Sequence, residues 1–317
     1  MKKLRNILGC VLLLTLTACH HKDLYMPGGA VSRLEVVFDW RYAPEADAAS
    51  MALYMYEQDG TAPLRFIFSN PNGGEIKAPM GCHHLIFLNS DNTYWLKMRG
   101  NENVETMEVY TGDAGEMSAQ NLESASVPRV RGTEDERLAT TPGMLWGGRA
   151  NDVRITPHTG TSTITLYPRE VVCHYTVDVL DVENLDGVGG SVIDATLSGM
   201  AEGYSYGKET ATDVPVTMTF ELEANEAQRQ LHGEFLTFGE CVRTTVPHYL
   251  TVYLIMSDGS RWWYSYDVTD QVSTAPDPRH VHIVVRGLPL PEPPSDGEAG
   301  LVPNVNDWQT VTIGLQM

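Results

Sequence analysis

Most of the chain consists of short apolar segments separated by turn residues, and this pattern constrains the fold more than any other feature. Segment 33–40 alternates apolar and polar positions and is rich in β-branched and aromatic residues, as expected for a strand with one buried face. Asp-Gly pairs at 59–60 and 258–259 are strong hairpin signals. No amphipathic helix interrupts the strand pattern. The sequence therefore predicts an all-β protein built of sandwiches.

The predicted strands fall into two sets, on either side of a polar and acidic stretch at 111–141. The first set is 33–40, 51–56, 64–68, 75–78, 82–89, 93–98 and 104–110. The second set is 153–157, 161–168, 169–182, 191–198, 214–222, 228–238, 248–256, 262–268 and 281–286. We therefore expect two tandem β-sandwich domains, at 31–140 and 141–288. Four prolines within 288–294 predict an extended linker, so that 289–317 would comprise this linker and a carboxyl-terminal strand.

The amino terminus carries a targeting signal. Three basic residues precede an apolar segment, 7–14, which is shorter than the roughly 20 residues needed to span a bilayer. The sequence Leu-Thr-Ala-Cys at 16–19 closes this segment as a lipobox. We predict that 1–18 is a signal peptide, which would remove Cys10, and that 19–30 is a lipidated tether. Cys19 would carry diacylglycerol and an N-acyl chain such as palmitate; the alternative is an ordinary signal peptide with a chance cysteine.

Lipidation and charge together bear on location and partners. Two or three acyl chains would hold the mature chain at a membrane without a spanning protein segment. The sequence has 41 acidic against 22 basic Lys and Arg residues, for a net charge of −19. This excess argues against nucleic acid and anionic lipid headgroups as partners.

No pattern indicates catalysis or a cofactor other than the covalent lipid. The sequence lacks a Gly-rich phosphate loop, a nucleophile elbow and a His-Glu-x-x-His helix, so no enzyme is predicted. His280 and His282 share one strand face, but no third ligand is near in sequence, which favours polar-face histidines over a metal site. Apart from Cys19, the folded part keeps Cys82, Cys173 and Cys241. This odd number favours free thiols over one disulfide and a single thiol.

One aromatic segment allows three interpretations. Strand alternation places Trp262, Tyr264 and Tyr266 on the same face. Burial in the core of a sandwich is favoured. A glycan-stacking platform and a protein interface are the alternatives.

Several segments together resemble the fimbrial anchor and minor-subunit lipoproteins of Bacteroidales, which include a related domain group of unassigned function. They are 36–40, 167–175, 197–201, 235–239 and 267–272, following the lipobox. The resemblance implies two transthyretin-like sandwiches and a pilus that assembles by strand exchange. It also implies an anchor subunit that keeps its lipid and binds fimbrial subunits by β-strand addition. Lys22 and Asp23, just after Cys19, resemble a surface-export signal, so we expect a cell-surface-exposed outer-membrane location.

The carboxyl-terminal strand candidate at 305–315 is the segment with the most direct bearing on assembly. Its apolar anchors are Trp308, Val311, Ile313 and Leu315. Either it returns to its own domain or it is exchanged with a partner, where backbone hydrogen bonds give affinity and side chains fix the register. The resulting hypothesis is a non-enzymatic outer-membrane lipoprotein that acts as the anchor or an accessory subunit of a fimbria. The alternative is a surface glycan-binding lipoprotein that uses the aromatic face at Trp262.

Overall fold

The structure is a computed structural model that describes residues 31–57, 62–91, 96–117, 122–123, 126–156, 160–243, 247–292 and 308–313. These residues form β-strands joined by turns, with one short α-helix, α1, at Thr269–Ser273. The all-β fold predicted from the sequence is confirmed. In the described part, no helix is long and apolar enough to cross a membrane.

The strands of the first half are β1 Val31–Phe38, β2 Met51–Glu57, β3 Leu64–Phe68, β4 Gly73–Pro79, β5 Gly81–Asn89, β6 Leu96–Arg99, β7 Glu108–Thr111, β8 Glu116–Met117, β9 Leu122–Glu123, β10 Arg137–Thr140, β11 Trp146–Ile155 and β12 Ser162–Leu166. Those of the second half are β13 Arg169–Glu170, β14 Cys173–Glu183, β15 Val192–Ala201, β16 Gly203–Ser205, β17 Thr210–Ala211, β18 Pro215–Asn225, β19 Gln230–Thr237, β20 Tyr249–Ile255, β21 Arg261–Asp267, β22 His280–Pro289 and β23 Trp308–Ile313. Single 3-10 turns lie at Leu185–Gly187 and Glu226–Gln228.

Two sheets enclose the core of the first half. One has the order β12-β1-β4 and the other β13-β11-β5-β2-β3. Strand β1 alternates exposed and buried positions, which places Leu34, Val36 and Phe38 inside. They pack with Leu53 and Phe87 of the second sheet. The predicted β2-β3 hairpin is present, although its Asp-Gly turn lies outside the described residues.

A single nine-stranded sheet forms the second core. Its order is β22-β14-β19-β18-β15-β20-β21-β23, with β10 beside β18. Buried Val281 and Ile283 of β22 share one cluster with Tyr264 and Tyr266 of β21, although these strands lie far apart in the sheet order. The sheet therefore folds over and packs against itself. The Tyr264 hydroxyl donates a hydrogen bond to the Pro289 carbonyl at 2.9 Å, which ties its two ends together.

Strands pair across the predicted domain boundary at 140/141 in both directions. β11 pairs with β5, and β12 lies parallel to β1 with Ile164 opposite Val36. β10 lies parallel to β18, with Ala139 opposite Met218. A further sheet, β17-β16-β7-β6, mixes strands from both halves. The boundary and the count of two transthyretin-like domains stay predictions.

The segment predicted as a linker from Leu288 begins as a strand instead. β22 continues to Pro289, which lies opposite Glu183 of β14. Proline is tolerated there because β22 is an edge strand. Leu290 is buried as well, and Asn184 donates a hydrogen bond to its carbonyl at 2.7 Å. The prediction of a linker was therefore wrong for 288–290, which belong to the sandwich.

Candidate functional site

The carboxyl-terminal strand β23 ends the nine-stranded sheet. It lies parallel to β21, with Trp308 opposite Arg261 and Val311 opposite Tyr264. Its other edge has no strand partner among the residues that the structure describes. In this structure of a single chain, the segment pairs with β21 of its own chain; exchange with a partner stays the alternative.

Side chains on both faces hold β23 in place. The Trp308 ring meets Tyr253 edge to face, at 5.6 Å between centroids. The Trp263 indole nitrogen donates a hydrogen bond to the Thr310 hydroxyl at 2.8 Å. Val311 lies on the opposite face and packs against the main core of the sheet. The structure gives the backbone of Ile313, whereas Leu315 lies outside the described residues.

The side chains of β23 are less buried than those of the adjacent strand. Trp308 and Val311 are only half-buried, whereas Tyr264 on the adjacent strand is fully buried. Beneath Trp308, Tyr253 belongs to a small cluster that includes Met117 and is separate from the main core. Since hydrophobic stabilisation scales with the area buried, β23 contributes less to stability than a central strand does.

The aromatic face at Trp262 points inward. Tyr264 and Tyr266 are fully buried, and Trp262 is half-buried and stacks on Tyr264 at 6.5 Å between ring centroids. Burial raises the pKa of Tyr264 to about 12. The Tyr266 hydroxyl donates a hydrogen bond to the Gly287 carbonyl at 3.4 Å. The two fully buried tyrosine rings cannot stack on a sugar, so the arrangement favours the core interpretation over a three-ring glycan platform.

The histidine pair predicted to share a face does so, and it joins a larger polar cluster. His280 and His282 are both exposed. His282 and His232 bond to different oxygens of Asp178, at 2.7 and 2.8 Å, and His280 stacks on His174 at 5.3 Å. The cluster includes residues more than 100 positions apart, which sequence spacing could not bring together. Among the described residues, no group of three or more His, Cys, Asp or Glu side chains could hold a metal ion.

Three of the cysteines lie in the part of the chain that the structure describes. Cys82, Cys173 and Cys241 are free thiols. Burial raises the pKa of the Cys173 and Cys241 thiols, which keeps them protonated and weakly reactive. Cys19, the predicted lipidation site, lies outside the described residues.

Comparison of the sequence with known proteins finds a family and a curated relative. A family model described as a domain of unknown function (DUF5119) matches residues 18–221. A Bacteroides ovatus protein provisionally named fimbrium anchoring subunit Fim4B is 22% identical over 235 residues, which cover 74% of this chain and 65% of that protein. The chain thus spans just under two thirds of the length of this curated relative.

Of two similar solved structures, the first shares the fold of this chain. The crystal structure of a provisionally named adhesin from Bacteroides ovatus has a TM-score of 0.62 at 20% identity, covering 84% of this chain and 94% of that one. The fimbrial anchor protein Mfa2 from Porphyromonas gingivalis has a TM-score of 0.49 at 11% identity, covering 80% of this chain and 91% of that one. The similarity to fimbrial anchor proteins predicted from the sequence is confirmed.

Proposed function

The chain belongs to the DUF5119 family, and we propose that it is a non-enzymatic, lipid-anchored outer-membrane subunit. In this role it anchors a fimbria or serves as its accessory subunit. The relative named as a fimbrium anchoring subunit supports the fimbrial role. The lipobox at Cys19 supports the anchor, since acyl chains can hold a folded domain at a membrane surface. The name of the same relative, an anchoring subunit, also supports a non-enzymatic role.

One observation carries the partner side of this proposal: the outer edge of β23 has no strand partner within the described part of the chain. An exposed strand edge presents a row of N–H and C=O groups on which another chain can add a strand. Contacts of Trp308 and Val311 with the body of the protein hold β23 beside β21. A partner subunit that pairs with β23 would thereby be connected to the membrane through Cys19.

Paired proline substitutions test this edge. Successive residues of a strand direct their N–H groups to opposite edges. Of Gln309→Pro and Thr310→Pro, one therefore removes an N–H group that faces β21, and the other removes an N–H group that faces the outer edge. One variant loses a bond to β21 and should unfold at a lower urea concentration. The other keeps its backbone bonds to β21 and loses an outward N–H, so it should keep the unfolding midpoint of the alanine variant at the same position, because Thr310→Ala also removes the bond to Trp263.

The readout is binding of a purified fimbrial subunit, with Gln309→Ala and Thr310→Ala as matched controls. We expect the proline variant of unchanged stability to lose binding by at least about tenfold, because the strand pairing is interrupted. Unchanged binding by that variant would rule out strand addition at β23.

A further inference from the structure

A surface cluster that the sequence patterns do not reveal lies where the turn after β1 meets the connection between β12 and β13. It consists of Arg41, Tyr42, Tyr167 and Arg169, and is called here the tyrosine cluster. Tyr42 is 54% exposed and Tyr167 is 40% exposed, whereas the aromatic residues of β21 that sequence analysis singled out are largely buried. Exposed rings that lie together on a surface mark a binding site more often than isolated ones do.

The four side chains form a column with the two tyrosine rings in the middle and one guanidinium group at each end. The Arg169 guanidinium lies over the Tyr42 ring, 4.5 Å from its centroid. Tyr42 meets Tyr167 at 5.9 Å with an angle of 67° between the rings. At the other end, the Arg41 guanidinium lies 5.2 Å from the centroid of Tyr167. These cation–π contacts hold the rings in fixed orientations although they are exposed.

The backbone beneath the column is fixed by hydrogen bonds. The Asp39 amide donates to the Leu166 carbonyl at 2.8 Å, which joins the two connections that carry the tyrosines. The Trp40 indole donates to the Pro71 carbonyl at 3.1 Å. Arg169 itself lies in β13, opposite Gly147 of β11. A ligand would therefore meet a preorganised surface and would lose little free energy in ordering it.

The two arginines differ in charge compensation. Arg41 bonds to the carboxylate of Asp39. The Arg169 guanidinium lies against the Tyr42 ring and has no hydrogen-bond or carboxylate partner among the residues that the structure describes. The neighbouring Glu170 side chain bonds to His174 instead. In a chain with 41 acidic and 22 basic residues, this leaves an uncompensated cation beside two exposed rings.

We propose that the tyrosine cluster binds an acidic polysaccharide, a sugar polymer that bears carboxylates. The net charge of −19 disfavours polyanions that bind by charge alone, so this recognition depends on local pairing of one guanidinium with one carboxylate beside the exposed rings. A guanidinium recognises a carboxylate with two parallel hydrogen bonds, and Arg169 has donors free for this. The exposed rings would pack against the C–H faces of the sugar. A sugar unit is the better match than an acidic protein, because a stable protein interface buries at least about 1,200 Å² and four side chains supply far less. This proposal does not depend on the fimbrial role.

The test uses polygalacturonate as the probe and dextran as the neutral polymer, with binding measured by affinity electrophoresis of the folded chain. We expect wild-type protein to bind polygalacturonate and not dextran. Arg169→Gln and Tyr42→Ala should each weaken binding by about tenfold or more, because each removes one of the two recognition elements. Arg65→Gln is the matched control: Arg65 also lies over a tyrosine, at 5.7 Å, but its Tyr54 ring is buried.

Urea unfolding of each variant establishes that it is folded. Absence of wild-type binding to polygalacturonate would overturn the proposal, as would an equal loss in Arg65→Gln. Arg169-dependent binding of polyglutamate without binding of polygalacturonate would assign the cluster to an acidic protein and would also overturn it. Binding of dextran that survives Arg169→Gln would contradict carboxylate recognition.

Discussion

The carboxylate of Glu202 accepts two hydrogen bonds from Arg137, at 3.1 Å from Nη2 and 3.2 Å from Nε. Its other oxygen lies 2.6 Å from Nη2 of Arg99. Glu202 connects β15 to β16, whereas the two arginines lie on β10 and β6. The Glu202 side chain is only 8% exposed. One buried carboxylate therefore joins strands from both halves of the chain.

Replacing this carboxylate should destabilise the protein. We expect Glu202→Ala to lower the free energy of unfolding by about 3 kcal/mol, because two guanidinium groups lose their buried partner. Asp113→Asn is the control, since Asp113 bonds to the same Arg137 at 3.1 Å but is 75% exposed. That change should cost less than about 1 kcal/mol. Urea unfolding at neutral pH measures both, and equal losses would contradict a special role for Glu202.

The aromatic face of β21 should affect stability and not sugar binding. Tyr264→Ala should lower the free energy of unfolding by about 4 kcal/mol, because it leaves a cavity in the core. Tyr264→Phe should cost only about 1 kcal/mol, since it loses the hydrogen bond to the Pro289 carbonyl and keeps the ring. Chemical unfolding checks both values. Wild-type stability in the alanine variant would show that this face is not part of the core.

Much of the fold was accessible from local patterns. The strand predicted at 64–68 matches β3, and alternation correctly placed His280 and His282 on one face. These successes depend on side-chain periodicity and turn residues, which act over a few positions. Short strands such as β8, β9 and β17 were missed because two residues carry no periodic signal.

Long-range pairing was not accessible in the same way. The parallel contact of Val36 with Ile164 joins residues more than 100 positions apart, and no local pattern specifies it. The tyrosine cluster was missed for the same reason, since Tyr42 and Tyr167 lie in separate connections. Exposed residues carry no burial pattern, so only the fold shows that these rings meet.

Stability should depend on pH through His232 and Asp178. The hydrogen bond with Asp178 raises the pKa of His232 above its ordinary value of 6.5. Burial opposes the ionisation of Asp178, but hydrogen bonds from His232, His282 and Gln230 outweigh it and lower its pKa below 3.8. Glu234, 3.7 Å from His232, also faces this group.

The signs of these shifts define a pH window. The contribution of His232 to the free energy of unfolding is fully present below pH 6.5 and is lost as the pH rises through its raised pKa. The contribution of Asp178 is present above pH 3.8 and is lost as the pH falls through its lowered pKa. His232→Asn should therefore reduce the loss of stability between about pH 5.5 and about pH 8. Urea titrations at both pH values decide, and an unchanged loss in His232→Asn would refute the linkage.

The proposed anchor depends on Cys19 more than on any other residue. The most direct measurement is the fraction of fimbriae that remains on cells expressing Cys19→Ala, with Cys10→Ala in the predicted signal peptide as the control. We expect the Cys19 variant to fold but to appear in the medium together with its fimbriae, and the Cys10 variant to retain them on the cell. Fimbriae that stay on the cells in the Cys19 variant would rule out anchoring through Cys19.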